Sequence, residues 1–470
     1  MRRGVVVAVF SVMAACRTQA LPTSDLSLVA DLSVVDLAVQ DLAAPDLSVG
    51  DMTVQNDLEI SDAGGDLGGS DMILSDMTVH DMVVSDMTIR DMTTIDLAGQ
   101  DMSGPVLGTA TNAGAGVTPH GVAYGDFNGD SKTDFVLVDA DDTTNNVWIF
   151  LGNGDGTLQS PSSIKIGRAG GAGTNVAVAL IDNDTNQDLI VGNGWGFSVF
   201  LGNGNGTFRV PTLPDPPDYD TGIAYPGDVA VGDLNGDGKL DVATVETDST
   251  TLGNPSFYVS INSGTGTFGA ATSVGPTISG QAILIANFDG SGKNDVAVID
   301  QTTQTIGLYM NQQGAGNGFV FHSTPDRTLS TGGGPFAMAY ADLDGANGND
   351  FVSVNNTDGT VSVFLAKATA GQYNTGVTYT AGDQADDVAV ADFDGDGHND
   401  IVTVEGGHTA GNVNLLLNSG TGTFAMPLNY TAGNSPAAIA ATPLRTGSTK
   451  PDVVVANFGT NNLSILLNLR

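Results

Sequence analysis

Three short stretches of this chain place oxygen-bearing side chains at positions 1, 3, 5 and 9 of a nine-residue loop. They are Asp126, Asn128, Asp130 and Asp134; Asp233, Asn235, Asp237 and Asp241; and Asp392, Asp394, Asp396 and Asp400. Gly129, Gly236 and Gly395 stand at position 4, where the backbone must bend sharply. Hard oxygen donors in a short flexible loop suit Ca²⁺, with the position-7 carbonyls of Lys132, Lys239 and His398 and water completing the shell. Carboxylates about 4 Å apart repel by roughly 1 to 4 kcal/mol per pair, so a cation relieves a substantial cost. Asp, Asn and Gly also form ordinary solvated turns. Recurrence at equivalent places is what favours the cation.

Four further copies are degenerate. The second has Leu180 at position 1 but keeps Asp182, Asp184 and Asp188; the fourth has Asn287, Asp289, Ser291 and Asp295; the fifth has Asp342, Asp344, Ala346 and Asp350. Weak or partial cation sites are expected there. The seventh, Thr442 to Asp452, has lost its ligands and is expected to bind nothing. None is an EF-hand, because the closing acid is an aspartate at position 9 and the flanks read as strands.

The closing aspartate recurs at Asp134, Asp188, Asp241, Asp295, Asp350, Asp400 and Asp452, at intervals of 54, 53, 54, 55, 50 and 52 residues. A fixed period of this size marks a repeat architecture. Each unit reads as a strand (Val388 to Ala391), the acidic loop, a second strand (Ile401 to Val404), a third (Val413 to Leu417), a turn and a looser fourth strand. The turns, such as Asn153-Gly154-Asp155-Gly156 and Asn203-Gly204-Asn205-Gly206, supply the positive-φ residues of tight hairpins. These glycine clusters do not sit between a strand and a helix, so they read as turns rather than phosphate-binding loops.

The third strands align in columns. Val147, Phe197, Phe257, Ile306, Val361, Val413 and Leu463 form one, and Ile149, Val199, Val259, Leu308, Val363, Leu415 and Ile465 another. The opposite face is also mostly apolar, as in Phe150, Phe200, Tyr309, Phe364, Leu416 and Leu466. Strands apolar on both faces must lie between other sheets. The reading is an all-β, seven-bladed β-propeller of four-stranded antiparallel blades over residues 105–470, preceded by a low-complexity segment. The seventh unit stops near Asn468 without a fourth strand, whereas Val106 to Thr111 resembles the fourth strands elsewhere, such as Leu428 to Thr431. That segment is expected to complete the last blade and so remove the open sheet edge.

Residues 1–20 read as a secretory signal, a basic start followed by the apolar run Gly4 to Ala15. The only cysteine, Cys16, follows Met13-Ala14-Ala15, which resembles a bacterial lipobox and implies lipidation at Cys16. Cleavage after Ala20, leaving a secreted protein, is the alternative. Residues 21–104 form a stalk in which Asp-Leu or Asp-Met recurs about every fifth residue, with 17 acids against Arg90 alone over 25–101. Such a segment cannot bury enough surface to fold, and a pentapeptide solenoid is the less favoured reading. The whole chain carries a net charge of −38, which repels nucleic acid.

The Asp-Phe-[Asn/Asp]-Gly-Asp loops, with a short apolar strand and a later Gly-Thr-Phe turn, resemble FG-GAP/VCBS repeats of integrin-type propellers. The resemblance implies a bladed propeller with calcium between the first two strands of a blade, in adhesion receptors, lectins and lyase-attached domains alike. The chain is therefore expected to be a non-enzymatic, calcium-binding, extracytoplasmic binding or adhesion module. It would act as a monomer on an unidentified protein or glycan, touching membrane only through an N-terminal lipid. A lectin-like propeller is the alternative and a propeller-type lyase a more remote one. Trp195, in Gly192-Asn-Gly-Trp-Gly196, would be the sugar platform of a lectin, although packing over the blade edge is favoured for it. His120, His322, His398 and His408 show no metal-ligand spacing, and neither G-x-S-x-G nor H-E-x-x-H occurs.

Overall fold

The computed structural model describes residues 106–470 apart from 115, 117, 141–144, 167–172, 210–217, 222–225, 248–256, 277, 313–317 and 408–410. The signal segment, Cys16, the stalk and His408 lie outside the described residues. Val106–Arg470 is a compact unit of its own, and among the described residues every regular element is a strand.

Seven antiparallel sheets follow one another along the chain. Blade 1 pairs Pro119–Gly125, Asp134–Asp139, Asn146–Phe150 and Ser162–Lys165 in sequence order. Blade 6 repeats the pattern with Ala385–Ala391, Asp400–Glu405, Asn412–Leu416 and Leu428–Thr431. Blade 2 departs slightly, since two short segments, Phe208–Arg209 and Asp218–Asp220, share the outer edge of Gly196–Gly202. The first strands of neighbouring blades touch one another all the way round, so they form the inner ring of a closed propeller.

The apolar columns account for this closure. Val147, Phe197, Phe257, Ile306, Val361, Val413 and Leu463 are all fully buried, and so are Phe150, Phe200 and Leu416 on the opposite face. Both faces of each middle strand are therefore covered by neighbouring blades. Outer strands such as Leu428–Thr431 are largely exposed. The turn aromatic of one blade packs onto the blade before it: Phe268 meets Phe197 at 5.2 Å between ring centres, and Phe424 meets Tyr379 at 5.2 Å. Edge-to-face pairs of this kind add about 0.5–1.5 kcal/mol beyond burial.

The ring closes with strands from both ends, but in a different register from the one expected. The closing strand is Thr111–Gly114, paired with Asn462–Leu466, while Leu107 bridges Asn468. Phe424 bridges Asn418 four residues before Leu428–Thr431 in the same way. Leu107 thus stands where blades 3, 5 and 6 place Phe268, Tyr373 and Phe424 and blade 1 places Leu158, and the strand begins only after it. Leu107 is 1% exposed. Leu107→Ala is expected to lower unfolding free energy by about 2–5 kcal/mol, the usual range for a buried leucine, with the transition still cooperative in a urea titration.

Candidate metal loops and their struts

Each acidic loop links the first and second strands of its blade, so all of them lie on one face of the propeller. The position-9 aspartates are completely buried, all seven of them. In each, one carboxylate oxygen accepts the amide of the apolar residue at loop position 2. The other accepts the amide of a residue at or just past the end of the third strand, across the blade. Asp134 takes Phe127 N and Gly152 N at 2.9 and 2.8 Å; Asp400 takes Phe393 N and Asn418 N at 2.9 and 2.8 Å. Asp188, Asp241, Asp295 and Asp350 make the same pair of bonds. So does Asp452, to Leu444 N and Asn468 N at 2.8 and 2.6 Å, in the blade whose other ligand positions are lost. The closing aspartate is therefore a strut first, and its recurrence does not require a metal.

A second set of bonds ties the loops from blade to blade. Where the residue after the third strand is asparagine, its side-chain amide donates to the preceding blade's position-2 carbonyl. Asn262 reaches Ile181 O at 2.7 Å, Asn311 Leu234 O at 2.8 Å, Asn418 Leu343 O at 2.7 Å and Asn468 Phe393 O at 2.7 Å. On the inner ring, Asp228 accepts from Ile283 N at 3.0 Å and Asp387 from Ile439 N at 2.9 Å, each in the next blade. Reading the sequence passed over these two acids because they lie outside any motif.

Positions 1, 3 and 5 behave differently from position 9. Asp126 gathers the amides of Gly129, Asp130 and Ser131, and Asp392 gathers those of Gly395 and Gly397. These bonds hold the turn of the loop, and the position-4 glycines sit at positive φ, +75° at Gly129 and +83° at Gly395. Three loops bring three carboxylates to within 4.8 Å of one another: Asp182, Asp184 and Asp188; Asp342, Asp344 and Asp350; and Asp392, Asp394 and Asp400. The loops of blades 1 and 3, with Asn128 and Asn235 at position 3, do not form such a group. Their position-5 acids pair instead with the position-7 lysines, Asp130 with Lys132 at 3.0 Å and Asp237 with Lys239 at 3.6 Å. In blade 4, Asp289 and Asp295 remain with Ser291, whose side chain caps Lys293 N at 3.3 Å. An all-oxygen donor set fits a hard divalent cation, and the blade 5 and 6 groups fit it best. The corresponding donors are Asp342, Asp344 and Asp350, and Asp392, Asp394, Asp396 and Asp400.

Burial pushes the strut carboxyls up. Asp241, Asp295 and Asp350 rise to about 6 and Asp400 to about 7, while Asp134 and Asp188 rise in the same sense. The half-buried acids of the inner ring follow, Asp228 to about 6 and Asp387 to about 7. Their backbone bonds act the other way but are outweighed.

Trp195 occupies the tight turn joining Asp188–Asn193 to Gly196–Gly202, with its amide held by Asn193 Oδ1 at 2.9 Å. It is half-buried rather than a freely presented ring. A cavity of about 370 Å³ lies instead between the loop regions of blades 4 and 5, lined by Tyr340, Tyr373, Asn287, Asn347, Asn349 and Lys367 among others.

The closed ring of four-stranded sheets with acidic loops on one face defines a seven-bladed β-propeller. The FG-GAP-like repeat family matches residues 126–191 and 181–244. Among solved structures, the fold is similar to that of BBS1N in complex with ARL6DN. The mercury-soaked crystal gives a TM-score of 0.51 at 12% identity and the lead-soaked crystal 0.50 at 11%, each covering 78% of this chain and 98% of that one. A lectin of Agrocybe aegerita that recognises non-reducing terminal N-acetylglucosamine matches at 21% identity and a TM-score of 0.44, over 67% of this chain and 80% of that one. No curated protein matches the chain significantly.

Two outcomes follow for the metal-free protein. Asp452→Ala leaves two buried amides unpaired and is expected to cost about 3–5 kcal/mol in urea unfolding, with or without calcium. For pH, an acid raised on folding from 3.8 to about 6 or 7 contributes stability that is complete below pH 3.8 and lost as pH rises through 6 to 7. The dialysed protein is therefore expected to melt at a higher temperature at pH 5 than at pH 8, by differential scanning calorimetry in chelator-treated buffer.

Proposed function

We propose that this chain is a non-catalytic, calcium-binding propeller that serves as a binding or adhesion module outside the cytoplasm. One observation carries the calcium reading. In blades 5 and 6, which are neighbours, three carboxylates converge within 4.8 Å, and in blade 6 the positive charge of Arg470 offsets part of the repulsion at Asp394. Mutual repulsion of this kind is relieved by a cation, and oxygen-only donors favour Ca²⁺ over softer metals. A bound ion would supply positive charge that draws the two strands of the inner hairpin together and fixes the loop face. In blades 1 and 3, Lys132 and Lys239 would swing away to admit it.

The net charge of −38 supports a protein or glycan partner rather than nucleic acid. The signal-like residues 1–20, the lipobox-like Cys16 and the acidic stalk support a surface-anchored or secreted monomer, with the lipid as its sole membrane contact. The lectin-like alternative is favoured by the cavity between blades 4 and 5, where Tyr340 and Tyr373 stand beside three asparagines. Aromatic rings with amides and little charge suit a sugar. A glycan array on which Tyr340→Ala removes a wild-type signal would support that reading, and an array silent for the folded wild type would remove it.

Calcium calorimetry on the full chain tests the main reading. The expected result is saturable binding, with one ion lost in an Asp392→Asn/Asp394→Asn double variant. At a free calcium concentration 100-fold above Kd, each site stabilises the fold by about 2.7 kcal/mol, which a melting curve registers as a rise of several degrees. Absence of both heat and shift contradicts it.

A further inference from the structure

Four of the seven loops keep an aspartate at position 1: Asp126, Asp233, Asp342 and Asp392. Asn287 holds the place in blade 4. The remaining two loops, in blades 2 and 7, have an apolar residue there, and each is entered by an arginine. In blade 2, Leu180 is at position 1 and Arg209 reaches in from the outer edge of the same blade. Its Nη2 lies 2.8 Å from Asp182 Oδ2 and 3.9 Å from Asp184 Oδ2, the position-3 and position-5 acids.

Blade 7 shows the same substitution by another route. Thr442 pairs with Asp452 as Gly125 pairs with Asp134, and Leu444 N bonds Asp452 as Phe127 N bonds Asp134. Pro443 therefore stands at position 1, and Arg445 at position 3, where Asn128 and Asp394 stand in their own blades. Arg445 Nη2 donates to Asp452 Oδ1 at 3.0 Å and to the carbonyl of Asn468 at 2.5 Å. A guanidinium at position 3 thus holds the strut aspartate and the end of the third strand.

We propose that Arg209 and Arg445 are tethered cations that take the place of a metal ion in blades 2 and 7, and so determine which blades bind metal. A guanidinium brings one fixed positive charge and several donors, and it needs no free ion. It satisfies the strut aspartate or its neighbours while blocking entry. In blade 2 three carboxylates remain behind it, so its removal would expose a usable donor set; in blade 7 only Asp452 remains, so its removal would not. Lys132 and Lys239 differ, because each stands at position 7 beside an intact position-1 aspartate. The proposal rests on the calcium reading for its metal count but not for its charge effect.

The test is calcium calorimetry and melting of the full chain for wild type, Arg209→Gln, Arg209→Lys and Arg445→Gln. Arg209→Gln is expected to bind one more calcium ion than wild type and to melt at a lower temperature in chelator. Arg445→Gln is expected to keep the wild-type count and to melt lower with and without calcium. Arg209→Lys keeps the charge and is expected to keep the wild-type count. Arg209→Gln with an unchanged count overturns the proposal. If Arg209→Gln does not fold, the lysine variant decides: a wild-type count supports the tethered cation, and an added ion overturns it. A wild type that takes up no calcium defeats the calcium reading alone. In that event the metal-free melt of Arg209→Gln decides, a lower value supporting the tethered charge and an unchanged one overturning it.

Discussion

The fold depends on a carboxylate that accepts two backbone amides. In every blade the closing aspartate joins the inner hairpin to the end of the third strand, at 2.6–2.7 Å on the third-strand side in blades 2, 5 and 7 and 2.8–2.9 Å elsewhere. Hydrogen bonds to charged groups are worth about 1.5–3 kcal/mol each, and a buried amide left unpaired costs a similar amount. This one group joins the backbone turn to the strand end, and in four blades the side-chain amides of Asn262, Asn311, Asn418 and Asn468 support it by donating to the carbonyl that precedes the aspartate. The apolar columns pack the blades side by side. The strut sets where the loop face begins.

That division assigns the two halves of the acidic motif to different work. Position 9 is architecture and is retained in blade 7, where nothing else of the motif survives. Positions 1, 3 and 5 carry charge, and the blades treat it in different ways. Blades 5 and 6 leave acids facing one another, blades 1 and 3 set a lysine beside them, blade 2 uses an arginine, and blade 7 replaces them with an arginine that pairs with the strut. The ring is therefore graded in its demand for a cation, and the blades most in need of one are adjacent. A calcium-dependent face would be stiffened over one sector of the propeller rather than evenly.

Much of this was legible in the sequence. Val147, Phe197 and their column, apolar on both faces, require sheets on either side and lead directly to a propeller. The period of the closing aspartate gave seven units. The role of that aspartate was harder to read, because a carboxylate beside other acids looks like a ligand, and its amide partner Gly152 lies 18 residues on. The closing strand begins later than its sequence suggests because Leu107 takes the turn position that Phe268, Tyr373 and Phe424 mark with an aromatic in blades 3, 5 and 6. Arg445 was obscured by a loop one residue longer than its counterparts, and Arg209 by the 27 residues that separate it from Asp182. In each case the missing information was a contact formed across the blade, which local pattern does not carry.

Amide hydrogen exchange at the strut donors measures the central claim most directly. The residues to follow are Phe127, Ile181, Leu234, Phe288, Leu343, Phe393 and Leu444, in the full chain with calcium and with chelator. If the aspartate strut is metal-independent architecture, all seven amides stay strongly protected in both conditions. Loss of protection at Phe393 and Leu343 in chelator, with Leu444 still protected, would contradict it and make the cation, rather than the carboxylate, the element that holds the loops.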